Sequence, residues 1–105
     1  MNDETRGPPI AELDSELGVH PVFFSVPREQ AVYIRAVLDS HGSLGVVRSQ
    51  EPEFSRDRSL MVLLQMPDFV TEACELLGEL SREVGLEFPE PDEAMLAALR
   101  EELRE

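Results

Sequence analysis

The chain has 105 residues, enough for one hydrophobic core and too few for a second. Its 42% apolar content, with 8 prolines and 6 glycines, is that of a globular domain despite a net charge of -13 from 22 acidic against 9 basic residues. A surface of this sign repels phosphate backbones and anionic lipid, which argues against nucleic acid and membrane as partners and favours a basic one.

Every basic residue is arginine, and the absence of lysine reads as codon bias rather than as chemistry. The lone Cys74 excludes an intramolecular disulfide and any cysteine-rich metal site. Met1 to Thr5 has neither a basic nor an apolar stretch of the kind that directs export. The longest apolar run, Leu60 to Leu64, is far short of the roughly 20 residues of a membrane span, so the expected address is the cytoplasm.

Met1 to Gly7 is polar and aperiodic and reads as a loose terminus. Pro8-Pro9 followed by Ile10, Leu13 and Leu17, and closed by Gly18, predicts a short amphipathic helix. Val22 to Val26, rich in branched and aromatic residues between Pro21 and Pro27, predicts a strand. Pro27 then opens a helix whose Ala31, Ile34, Val37 and Leu38 share one face, with Gly42 suited to a left-handed terminal conformation.

Leu44 to Arg48 and Ser59 to Met66 read as two further strands, joined by a long polar loop from Ser49 to Arg58. Pro67-Asp68 opens a second helix with an apolar stripe of Phe69, Ala73, Leu76, Leu77, Leu80 and Val84, closed by Gly85. Leu86 to Phe88 is a short edge strand before Pro89 and Pro91 interrupt the backbone. Asp92 caps a third helix running to Arg104, with Leu96, Leu99 and Leu103 on one side.

The order β-α-β-β-α predicts an α+β domain of the ferredoxin-like, split βαβ kind. Its antiparallel sheet has three or four strands, the first and third central, and carries two helices on one face with an extra C-terminal helix. The chain divides into an N-terminal segment, 1–18, a βαββα(β) core, 19–88, and a C-terminal amphipathic helix, 89–105.

The strands do not alternate as a sheet with one wet face should. With Val22, Phe24, Val26, Leu60, Val62, Leu64 and Met66 facing the two core helices, Phe23, Met61 and Leu63 point to the other side, together with Val46 or Val47. A bare patch of that kind sits at the upper end of what soluble monomers tolerate. One of the terminal helices, a second copy of the chain or a ligand must cover it, which makes Phe23, Met61, Leu63 and Val47 the candidate interface.

Arg48, Arg56 and Arg58, with Phe54 among them, form a basic spot on an acidic chain. They are candidates for clasping a carboxylate, a phosphate or a partner, unless they pair with Glu51, Glu53 and Asp57. His20 and His41 have no second histidine or cysteine at ligand spacing, Asp39-Ser40-His41 reads as a helix end, and Cys74 as a small hydrophobe. No phosphate loop, nucleophile elbow or zinc-protease motif occurs, so no catalytic, metal or cofactor residue is assigned.

The stretch Val26-Pro27-Arg28-Glu29-Gln30-Ala31-Val32-Tyr33-Ile34-Arg35, followed by Leu38-Asp39 and Leu44-Gly45-Val46-Val47-Arg48-Ser49, resembles small bacterial domains of unknown function. These are similar in plan to the amino-acid-binding ACT regulatory domains. The resemblance covers about half the chain and implies a helix entry at Val26-Pro27, a tyrosine-bearing first helix and a second strand ending in Arg48. The glycine that ACT domains carry before the first helix has no counterpart beside Pro27, so amino-acid binding is not implied.

The expected function is a non-enzymatic interaction or regulatory module, binding a protein partner or itself as a homodimer. The alternative is an ACT-like sensor of a small anionic metabolite at Arg48, Arg56 and Arg58. A small enzyme is the least supported class, because no residues are patterned for a catalytic site.

Overall fold

Branched and aromatic residues set the strands and prolines and glycines punctuate them, giving β1 (His20–Pro27), α1 (Ala31–Ser40), β2 (Gly45–Ser55), β3 (Arg58–Gln65), α2 (Val70–Val84) and α3 (Glu93–Arg104). The computed structural model describes residues 12–104, except the side chains of 52 and 53. Met1 to Gly7, and Pro8 to Ala11 of the expected first helix, lie outside that range. The described part of that expected helix is instead a tight turn. The Asp14 and Val19 backbones bridge, Gly18 takes φ +72°, and Oδ1 of Asp14 accepts from the backbone N–H of Glu16 (3.0 Å) and of Leu17 (3.2 Å). An aspartate that satisfies two following amides holds a turn more readily than a helix interior.

The sheet is antiparallel in the order β1-β3-β2. The expected edge strand at Leu86 to Phe88 is reduced to one bridge, in which Ser25 N–H donates to the Glu87 carbonyl (2.8 Å) and Glu87 N–H to that of Ser25 (3.1 Å). The plan is βαββα followed by a C-terminal helix; β3 alone is central, and β1, expected beside it in the centre, has only that one bridge on its outer side because the prolines after Phe88 cut the fourth strand short.

Pro27 ends β1 and leads through a 3-10 turn, Arg28–Gln30, into α1. α1 does not end on a left-handed Gly42. A second 3-10 turn, Gly42–Leu44, continues from its C-terminus, with Leu44 N–H donating to the His41 carbonyl at 2.9 Å, and delivers the chain to Gly45. Glycine is required there, because a Cβ on Gly45 would collide with the Leu64 backbone carbonyl. α2 does end as expected, on Gly85 at φ 76° and ψ 53°.

The polar segment from Ser49 to Arg58 is not a loop. β2 continues to Ser55, with register shifts between Ser49 and Glu51 and between Glu51 and Ser55, and only Arg56 and Asp57 form the turn. β2 is an edge strand, so the polar residues of this segment can stay in water while its backbone still pairs with the apolar β3.

Both faces of the sheet are apolar, as expected, but the faces of β3 are exchanged. Phe23 lies opposite Val62, Phe24 opposite Met61 and Val22 opposite Leu63, and opposed residues share a face. Met61, Leu63 and Val47 therefore join Val22, Phe24 and Val26 in the main core against Ile34, Leu38, Ala73, Leu77 and Leu80 of α1 and α2. Leu60, Val62 and Leu64 share the far face with Phe23. β3 is apolar at every position from Leu60 to Leu64, so its own pattern cannot name its faces; only the register with β1 does.

Leu63→Ala opens a void in this main core and is expected to lower stability by about 2–5 kcal/mol in urea unfolding. Val46→Ala, at a side chain 54% exposed, should change it by less than about 0.5 kcal/mol.

Candidate functional site

α3 begins where Oδ1 of Asp92 accepts from the Met95 backbone N–H at 2.8 Å, the N-cap expected from sequence. It lies on the far face, where Leu99 is fully buried against the cluster of Phe23, Leu60, Val62 and Leu64. Met95, Leu96 and Leu103 are half-buried beside it, and Leu17 and Val19 of the N-terminal turn close one end. The chain thus covers its own second sheet face.

Two charged clamps orient α3. Arg48 of β2 donates to Oε2 of Glu102 from Nε (3.1 Å) and a terminal nitrogen (2.8 Å), while Gln50 Nε2 donates to Oε1 at 3.1 Å. Arg100 donates likewise to Oδ2 of Asp14, at 3.2 and 2.8 Å, with Glu16 a further 3.7 Å ion-pair partner. Asp14, its side chain 8% exposed, therefore holds the turn with one oxygen and α3 with the other. The hydrogen bonds from Arg100 hold the Asp14 carboxyl below its ordinary pKa, and those from Arg48 and then Gln50 do the same for Glu102.

Between this turn, the start of β1 and α3 lies a cleft of about 730 Å³. Phe23, Leu96 and the prolines Pro21, Pro89 and Pro91 supply apolar walls, and Glu12, Asp14, Glu16 and Glu90 supply carboxylates. Among the described residues Arg100 is the one base in the lining, and it is already engaged by Asp14. The cleft presents apolar surface rimmed by negative charge, a setting suited to a cationic group on an apolar stem.

The structure does not bring the four candidate interface residues together on an open surface. Phe23 is buried beneath α3, while Met61, Leu63 and Val47 are buried in the main core. The three candidate arginines also separate. Arg48 holds α3. Arg58 donates to Ser25 Oγ (2.8 Å) and to the carbonyls of Ser25 (2.9 Å) and Gly85 (2.8 Å), and lies 3.6 Å from Glu87. It stitches the end of α2 to β1. Arg56 is exposed at the hairpin turn. The cleft residues Asp14, Glu16, Glu90 and Arg100 were not singled out from sequence, where acidic residues are too numerous to rank; the turn signal Asp14-x-x-x-Gly18 was the available hint.

Cys74 is half-buried on α2 and accepts a hydrogen bond from Gln65 Nε2 at 3.6 Å, whereas Gln65 Oε1 is buried with no partner among the described residues. No group of three histidine, cysteine or carboxylate side chains among the described residues is placed to hold a metal ion, and no described helix is long and apolar enough to cross a membrane. No known protein family, curated protein or solved structure matches the chain.

Two outcomes test this geometry. Arg58→Ala leaves the Ser25 and Gly85 carbonyls without a charged donor and is expected to cost about 1–3 kcal/mol in thermal unfolding, with Arg58→Lys restoring only part. Because Asp14 and Glu102 have lowered pKa values in the folded chain, the unfolded chain binds more protons in the acidic range. The clamps' contribution is then complete above the ordinary carboxylate range and lost as pH falls below about 5. Urea midpoints should fall on acidification, and Asp14→Asn with Glu102→Gln should flatten that fall.

Proposed function

We propose that this chain is a non-enzymatic protein-interaction module that recognises a basic segment of a partner protein. The observation that carries this reading is the acid-rimmed cleft with apolar walls, in which the one arginine among the described residues is already paired with Asp14. The charge of -13 supports it, since it accelerates encounter with a cationic partner and repels nucleic acid, anionic lipid and a second copy of the chain. A regulatory role and a cytoplasmic setting belong to the same reading.

The alternative, an ACT-like sensor of an anionic metabolite at Arg48, Arg56 and Arg58, draws less support. Arg48 and Arg58 are engaged by groups of the chain itself, and the three do not converge on one point. An anion would have to displace Glu102 and Glu87 to reach them.

Calorimetric titration with a short peptide of alternating arginine and leucine tests the reading. Binding is expected to weaken steeply as salt is raised and to drop on Glu16→Gln with Glu90→Gln, both exposed positions. A glutamate-for-arginine peptide should not bind. Equal binding of the two peptides, or none by either, would sink the reading.

A further inference from the structure

We infer that the sheet face beneath α3 is the docking surface for a basic amphipathic helix of a partner protein, which displaces α3 from it. This rests on the interaction-module reading and names the surface and the form of the partner.

The seat is built for a helix, because a helix occupies it. Phe23, Leu60, Val62 and Leu64 form a flat apolar floor, with Arg48 on one side positioned to receive a carboxylate and Asp14 on the other positioned to receive a guanidinium. The resident helix is lightly held. Of its side chains only Leu99 is fully buried, Arg48 and Glu102 are each more than a third exposed, and the one clamp shielded from water is that of Arg100 on Asp14. At twelve residues α3 is marginal as an isolated helix, so its order depends on the seat. The segment 88–92 before it has no regular structure and contains Pro89 and Pro91, which keep it extended.

The rest of the domain does not need α3. The core between the sheet and α1 and α2 shares no residue with the cluster under α3. Removing α3 exposes one face and leaves the other packed, the requirement for an element that opens below the global unfolding free energy.

Charge selects the occupant. α3 carries Glu93, Glu101 and Glu102 against Arg100 and Arg104, on a chain of net charge -13, so a helix with the same apolar spacing and a basic outer face is attracted more strongly than α3. The carboxylates of Glu12 and Glu90 lie beside the seat, and Glu16, which pairs with Arg100 of α3, can pair with a basic residue of the incoming helix instead.

The test uses the full chain and a labelled peptide of residues 92–104 with Glu93→Lys and Glu101→Lys, both exposed positions on α3. The peptide is expected to bind, and in nuclear magnetic resonance spectra the backbone amides of α3 should move to unfolded positions while those of α1 and α2 stay. Leu99→Asp in the peptide should abolish binding. Glu102→Gln in the protein, which loosens only the resident helix, should tighten it severalfold. Binding that leaves the α3 amides unmoved would overturn the inference while sparing the cleft reading. Failure of the peptide to bind both wild type and Glu102→Gln would also overturn it. A protein that dimerises on concentration by exchanging α3 would show that the occupant is a second copy and overturn the choice of partner.

Discussion

β3 is the constraint on which the rest of the structure depends. It runs between β1 and β2 and is buried from Ser59 to Gln65, with apolar side chains on both faces from Leu60 to Leu64. A central strand of that kind cannot have a wet side, so the chain must supply two layers of cover. α1 and α2 provide one, and α3 with the Asp14 turn provides the other. The N-terminal turn, the proline-bearing linker and the two clamps all serve to place that second cover.

The two layers are unequal, and the inequality gives the fold its functional character. The main core draws on two helices and twelve buried residues, including Leu86, which extends it to the end of α2. The second has five buried residues, of which Leu99 is the only one α3 supplies, with half-buried neighbours, one exposed clamp at Arg48-Glu102 and one shielded clamp at Arg100-Asp14. Exposed ion pairs contribute little to stability but do fix orientation, and here they set the angle and register of a helix whose apolar stripe is narrow. The cleft is a by-product of the same arrangement: the Asp14 turn, the start of β1, the proline-bearing linker and α3 leave a gap beside the Arg100-Asp14 contact.

Much of the architecture was legible in the sequence because local signals agreed with it. Period and punctuation marked β1, α1, α2 and α3, and Asp92 and Gly85 are the caps their positions suggested. That both sheet faces are apolar was legible too, since Phe23 and the Leu60 to Leu64 run break alternation. Which residue lies on which face was not, because register is a property of a pair of strands and β3 offers no polar position to break the tie. The Ser49 to Ser55 segment was misread for a related reason: on an edge strand the polar residues mark exposure rather than a loop. Asp14-Arg100 and Arg48-Glu102 join positions far apart in the chain, and among 22 acids no spacing singles out their carboxylates.

The irregular pairing of β2 bears on how this chain can meet others. An open strand edge is a template on which a further strand can add, leading to sheet-to-sheet polymerisation. β2 is that edge, yet its register slips beyond Ser49 and again before Ser55, and Pro52 there offers no N–H. Only the short stretch from Gly45 to Ser49 keeps regular spacing. Backbone-to-backbone growth is thus discouraged at the outer edge, and recognition is left to side chains, where sequence rather than mere extension decides what binds.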